Sequence, residues 1–263
     1  MKRNSQNRFA QAKEAFLDRT DPERFVRMEC NIPLLEKLHK LQDEKFKIAL
    51  LKGEPGAGKS MLLKRFEQEA PQNTLFFFRP FFSIEAFEKE LKRHLNIDEG
   101  TSLMQGLQTL KPYSVFVVLD EAQMYGQDFL EYIRILSDTE KIKFLLSLHT
   151  IDRENPLAQQ HFTTRIFSDL HLIPPTATDL YLYIQKRLFM MELSDLGQAF
   201  KSKHAKFIHR YTKGNLRQTN KFLYTLFDIL DYFERHNPSK IKTNPISKKF
   251  LEMSAMQLGY IDA

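Results

Sequence analysis

Between residues 33 and about 173, short unbroken apolar runs alternate with stretches of helical spacing, and beyond that point the alternation stops. The runs near 46–52, 74–79, 114–120, 142–149 and 166–172 are rich in Val, Ile, Leu and Phe, as expected of strands covered on both faces. Apolar residues recurring every three or four positions predict helices near 59–70, 83–95, 101–110, 126–138 and 155–163. Ahead of the first strand, Leu34, Leu35, Leu38 and Leu41 predict a further helix. Strand and helix alternating in this way imply an α/β architecture, a five-stranded parallel sheet with helices on both faces.

Pro174-Pro175 punctuates the last run and marks a boundary. Beyond it Leu180, Tyr183, Ile184, Arg187 and Leu188 have helical spacing, and helices are expected near 197–212, 215–236 and 246–258. Residues 1–28 read as a polar helix with a thin apolar stripe of Phe9, Ala12, Phe16 and Leu17, an arm suited to docking. Three segments result: an N-terminal helical arm (1–32), an α/β domain (33–173) and a helical domain (174–263) able to move against it.

Charge sharpens this division. The net charge is +6, yet residues 1–198 hold 27 Lys and Arg against 28 Asp and Glu, while residues 199–263 hold 12 against 5. Lys201, Lys203, Lys206, Arg210, Lys213 and Lys221, then Lys240, Lys242, Lys248 and Lys249, could face nucleic acid, an anionic membrane surface or an acidic partner, or form solvated helix faces. Cys30 is the only cysteine, so no intrachain disulfide can form, and a reducing compartment is expected. With no apolar stretch long enough to span a bilayer, a cytoplasmic protein is expected, reaching the inner membrane only through a partner.

The strongest chemical signal is Gly53-Glu54-Pro55-Gly56-Ala57-Gly58-Lys59-Ser60, between the first strand and a helix carrying Met61, Leu62, Leu63 and Phe66. A Gly-x4-Gly-Lys-Ser loop in this context aims backbone N–H groups and a helix N-terminus at polyphosphate. The cradle runs from Gly53 through Ser60 to Met61, with Lys59 reaching the β- and γ-phosphates and the Ser60 hydroxyl ligating Mg²⁺. The buried run Val115–Leu119 ends in Asp120-Glu121-Ala122-Gln123, where open α/β sheets bind ligands. Asp120 is expected in the Mg²⁺ shell, and Glu121 as the base that orients water against the γ-phosphate. No Asn/Thr-Lys-x-Asp guanine-reading sequence is present, which favours ATP over GTP.

These two motifs, with a helical region after them, resemble the AAA+ class of P-loop ATPases, and within it the general secretion pathway protein A (ExeA-like) type and the related transposition ATPases. Asp-Glu-Ala-Gln at 120–123, Phe144 to His149, Thr164-Arg165-Ile166, His171 to Pro175, Tyr183-Ile184-x-x-Arg187-Leu188 and Gly214-Asn215-Leu216-Arg217 carry the resemblance. It implies an ATP- and Mg²⁺-dependent hydrolase with a helical lid, working as a homo-oligomer. His149 falls where the family places a polar sensor; Ser147 or Thr150 could serve instead, and His149 could be structural. Arg165 matches an arginine finger offered to a neighbouring subunit, with a surface salt bridge as the alternative. Arg217 resembles the lid arginine that senses the γ-phosphate. The resemblance implies a motor or switch for an envelope machine in secretion, pilus formation or DNA uptake, with membrane-embedded partner proteins. The alternative is a transposition or replication-loader ATPase that binds DNA without sequence preference. Secretion relatives commonly carry a transmembrane helix and a cell-wall-binding region that this sequence lacks.

Overall fold

A computed structural model describes residues 8–149, 160–241 and 245–262. In chain order its elements are α1 (Arg8–Ala15), α2 (Ile32–Leu41), β1 (Ile48–Lys52), α3 (Lys59–Glu69), β2 (Thr74–Phe77), α4 (Ile84–Leu95), α5 (Leu103–Gln108), β3 (Val115–Leu119), α6 (Gln127–Asp138), β4 (Ile142–Leu148), α7 (Gln160–Thr163), β5 (Ile166–His171), α8 (Ala177–Phe189), α9 (Ser194–Ala199), α10 (Ser202–Thr212), α11 (Leu216–His236) and α12 (Lys248–Gln257). They fall into two compact units, one of Pro33–Glu54 with Lys59–Leu172, the other of Met1–Ile32, Pro55–Gly58 and Ile173–Ala263. The start of the expected arm, Thr150, most of the expected helix at 155–163 and Lys242 lie outside the described residues.

The first unit is built on a parallel sheet in the order β2-β3-β4-β1-β5. Every residue of β3 and β4 is buried, which accounts for the wholly apolar sequence of β3 and the largely apolar one of β4, whereas β5 at the sheet edge alternates and leaves Phe167 exposed. Strand β2 stops at Phe77, short of the expected 79, just ahead of Pro80, which cannot donate to a ladder. Ser83 and Ser102 sit outside α4 and α5 as N-caps, accepting from Ala86 N and Gln105 N, which trims both helices relative to the apolar pattern. Lys143 of β4 carries a cation into this core, its Nζ donating to the carbonyls of Leu41, Gln42 and Glu44 at 2.6–2.9 Å. It closes the C-terminus of α2 between the rings of Phe46 and Phe116, and burial holds its pKa below the usual lysine value.

The second unit is helical, and the N-terminal segment is part of its core. Residues 1–28 were expected as one helix; in the structure α1 ends at Ala15, and a short 3-10 turn at Pro22–Arg24 is capped by Asp21. The run Asp18-Arg19-Thr20-Asp21-Pro22 breaks the helix, since Pro22 pushes the residue before it out of helical conformation. Phe9 and Phe16 stack on Phe227 of α11 with ring centroids 6.4 and 5.8 Å apart. Buried Arg187 of α8 donates to the carbonyls of Ala15 and Arg24, with the rings of Phe16 and Tyr183 beside it. The helix expected over 197–212 is two: Phe200 and Lys201 are extended, Phe200 fills the core, and α10 starts afresh at Ser202. No helix among the described residues is long and apolar enough to cross a membrane.

Candidate nucleotide site

The sheet order explains how residues remote in sequence converge. Strand β4 lies between β1 and β3, with Leu51 opposite Ser147 and Leu119 opposite Leu146. The C-terminal ends of β1, β4 and β3 therefore deliver the glycine loop, His149 and the Asp120-Glu121 pair to one edge. In the loop, Gly56 and Gly58 have φ of +81° and +104°, values that side chains resist, so the tight turn depends on glycine there. Ala57 is buried, Glu54 and Pro55 are exposed, and Met61 is half-buried in the first turn of α3.

Lys59 is 6 % exposed, and its Nζ donates to Gly53 O at 2.7 Å and Glu54 O at 3.2 Å and meets His149 Nδ1 at 3.0 Å. An ammonium has no acceptor, so Nδ1 accepts, and the neutral ring carries its proton on Nε2, 3.6 Å from Glu121 Oε2. Gln123 extends the chain: its Nε2 donates to Glu121 Oε2, and its Oε1 accepts from His149 N at 3.3 Å. Glu121 is a left-handed residue (φ 56°, ψ 36°), a conformation costing about 1–2 kcal/mol for an L-residue. Its side chain is 38 % exposed at the strand end.

Asp120 is 1 % exposed and fully matched. Oδ2 accepts from Ser60 Oγ at 2.6 Å, and Oδ1 accepts from Ser147 Oγ at 2.7 Å and from Glu121 N at 3.0 Å. The Ser60 hydroxyl and Asp120 carboxylate thus touch where a hard cation would be held by oxygen ligands, and these donors suit Mg²⁺. Ser147, weighed above as a sensor, is committed to Asp120.

The remaining candidates lie elsewhere. Arg165 precedes β5, at the sheet edge opposite the glycine loop, and grips Asp138 through Nε to Oδ1 and through its terminal nitrogen to Oδ2, both at 2.9 Å. Lys47 and Arg134 reach the same carboxylate at 2.7 and 2.8 Å, and the Arg165 hydrogen bond, with Lys47 beside it, holds Asp138 down at about 2. In the helical unit, Asn215 caps α11 and donates from Nδ2 to Pro55 O at 2.7 Å, while Arg217 N donates to Gly56 O at 3.3 Å. The Arg217 side chain is 67 % exposed, with Nε 3.4 Å from Asp18 Oδ2. Cys30 is half-buried and its thiol is pushed up to about 11, mainly by desolvation, which disfavours the nucleophilic thiolate. The hydrogen bonds of Gln123 and Asn215 have no counterpart in the sequence pattern, although both residues stand in the Asp-Glu-Ala-Gln and Gly-Asn-Leu-Arg runs. Nor does a motif mark the cleft of about 460 Å³ beyond β2, lined by Phe76 to Phe81 with Glu90, Arg93 and His94.

A five-stranded parallel sheet in this order, with a glycine-lysine-serine loop after β1, an acidic pair after β3 and helices at the C-terminal end, is the AAA+ P-loop fold. A family model described as an AAA domain matches residues 42–155. Thermotoga maritima RuvB, the Holliday junction branch migration motor, is similar at 17% identity and a TM-score of 0.58, over 94% of this chain and 74% of that one. A chain of Drosophila ORC bound to DNA is similar at 16% identity and 0.62, over 98% and 67%, and domain III of the Thermotoga maritima replication initiation protein DnaA at 15% and 0.55, over 90% and 96%. At such identities the likeness is one of fold. No curated protein matches the chain.

Proposed function

We propose that this protein is a Mg²⁺-dependent ATPase of the AAA+ type, a homo-oligomeric switch that acts on nucleic acid. The observation that carries the hydrolytic reading is the pair of linked networks at the strand ends, Ser60–Asp120–Ser147 beside Lys59–His149–Glu121–Gln123. Bound Mg²⁺ supplies charge neutralisation on the β- and γ-phosphate oxygens. Ser60 and Asp120 would hold it, and Ser147 fixes the carboxylate that does so. Lys59, lifted from the Gly53 and Glu54 carbonyls, balances phosphate charge. Glu121 accepts the proton of the attacking water, and Gln123 and His149 orient it. Arg217 is the lid candidate for contact with the γ-phosphate, and Arg165 for a neighbouring subunit's nucleotide.

Two features favour nucleic acid as what the switch works on. Similar structures include ORC bound to DNA and a branch migration motor, and residues 199–263 carry the chain's basic excess. The envelope-machine reading, with membrane-embedded partners, rests on the resemblance to secretion ATPases and has no structural observation behind it. Lys59→Ala is expected to abolish ATP binding, and Glu121→Gln to bind ATP while losing phosphate release. Unimpaired turnover by the Glu121 variant would remove that residue from its role.

A further inference from the structure

From Leu196 to Phe227 the chain has no Asp or Glu and seven Lys or Arg. This stretch folds into the end of α9, all of α10 and the first half of α11. At 100° per residue, Lys203, Lys206, Arg210 and Lys213 fall within an arc of about 80° on α10 and its C-cap. All four are exposed, while His204, Ala205, Ile208 and Thr212 bury the other side of the helix. Elsewhere in this unit cations find partners: Arg235 pairs with Asp231, and Lys248 with Glu252. Among the described residues no ion pair involves the four cations of this arc or the nearby Lys201 and Lys221.

Local physics does not account for such a row. Cations three and four residues apart repel one another, and Lys201 and Lys203 stand at the helix N-terminus, where the backbone dipole disfavours positive charge. A polyanion laid along the arc offsets both penalties. We infer that the exposed face of α10 is a contact surface for the phosphate backbone of duplex nucleic acid, a reading that rests on the nucleic-acid role proposed above. Successive cations lie about 5 Å apart along the helix, a row of point charges suited to a row of phosphates. Lipid is a poorer match, because none of the exposed large apolar residues of this unit, Ile173, Phe189 and Tyr232 the most exposed among them, lies on α10. Single strands are a poorer match too. Phe207 and Tyr211 are half-buried and packed against each other rather than displayed for base stacking. With lysine predominating and no base-reading element, the contact is independent of sequence.

The test compares Glu121→Gln with the same protein also carrying Lys203→Gln, Lys206→Gln and Arg210→Gln, with ATP and Mg²⁺ present. Binding to a fluorescent random-sequence duplex is followed by anisotropy across a salt titration. Removing three phosphate contacts is expected to flatten the slope of log K against log salt by about 2.7 and to weaken binding roughly tenfold or more at moderate salt. Thermal melting and ATP affinity should stay unchanged, and Lys203→Arg with Lys206→Arg should keep the parent slope. An unchanged slope in the triple variant overturns the α10 assignment while leaving the nucleic-acid reading in place. Failure of the Glu121→Gln parent to bind duplex even at low salt overturns that reading itself. Loss of binding to phosphatidylcholine–phosphatidylserine vesicles with duplex binding intact assigns the face to a membrane surface and also overturns the proposal.

Discussion

A hydroxyl in the middle of a fully buried strand is costly unless it is matched, and Ser147 is matched by the most buried carboxylate of the site. Ser147→Ala leaves Asp120 short of one donor, and groups that orient a metal ligand are commonly worth about 10–100-fold in metal affinity. The expected outcome is a rise of about that size in the Mg²⁺ concentration needed for half-maximal phosphate release, with little change at saturating Mg²⁺. Gln123→Ala should do the reverse, lowering turnover while ATP and Mg²⁺ binding persist, because among the described residues the Gln123 side chain hydrogen-bonds to Glu121 and the His149 backbone and not to the Mg²⁺ ligands. A Mg²⁺ titration of each variant separates the two effects. Lys59, Ser60, Asp120 and Glu121 stand in local motifs whose spacing announces their chemistry. Ser147 does not, because its partner is set by the pairing of β3 with β4, a long-range register that no local pattern contains.

Elements were legible where periodicity was strong and blurred where a single residue interrupted it. The five strands appear near their expected places because each is short, apolar and bounded by polar residues. The break at Phe200-Lys201 was hidden because a buried aromatic in extended backbone fits a helical stripe as well as a helical one does. That break sets the start of α10, where Lys201 N donates to His204 Nδ1 at 3.1 Å. Burial, with Lys203 and Lys201 nearby, holds His204 below the ordinary histidine pKa. The unfolded chain therefore takes up this proton first as pH falls. Stability is intact above the usual histidine range and declines as pH drops through about 6.5. His204→Gln should remove that part of the pH dependence in denaturant titrations. Arg187 is the other single point of failure: without its guanidinium the Ala15 and Arg24 carbonyls lose their donor. Arg187→Leu is expected to cost about 2–4 kcal/mol in denaturant unfolding and to expose residues 16–31 to limited proteolysis.

At the scale of the molecule, Arg165 stands at the sheet edge opposite its own glycine loop, so any action on nucleotide is on another subunit's. Mixing Arg165→Ala with Lys59→Ala, each inactive alone, should restore part of the turnover if subunits share sites in this way. No recovery, with both variants still oligomeric, would leave Arg165 as the anchor of Asp138. The same pair contributes stability above about pH 3.8 that is lost as pH falls towards 2, since the folded-state carboxylate resists protonation.

The stacking of Phe9 on Phe227 carries a consequence for how the protein is made. The two rings are separated by 218 residues, so at 5–20 residues per second a ribosome takes about 10–40 s to supply the second after the first. Until Phe227 is made, Phe9 and Phe16 lack the ring they stack on, while residues 33–172 have by then been synthesised and can already assemble their sheet. The helical unit therefore closes only after residues 33–172 have been made, by joining residues near Phe9 to residues near Phe227.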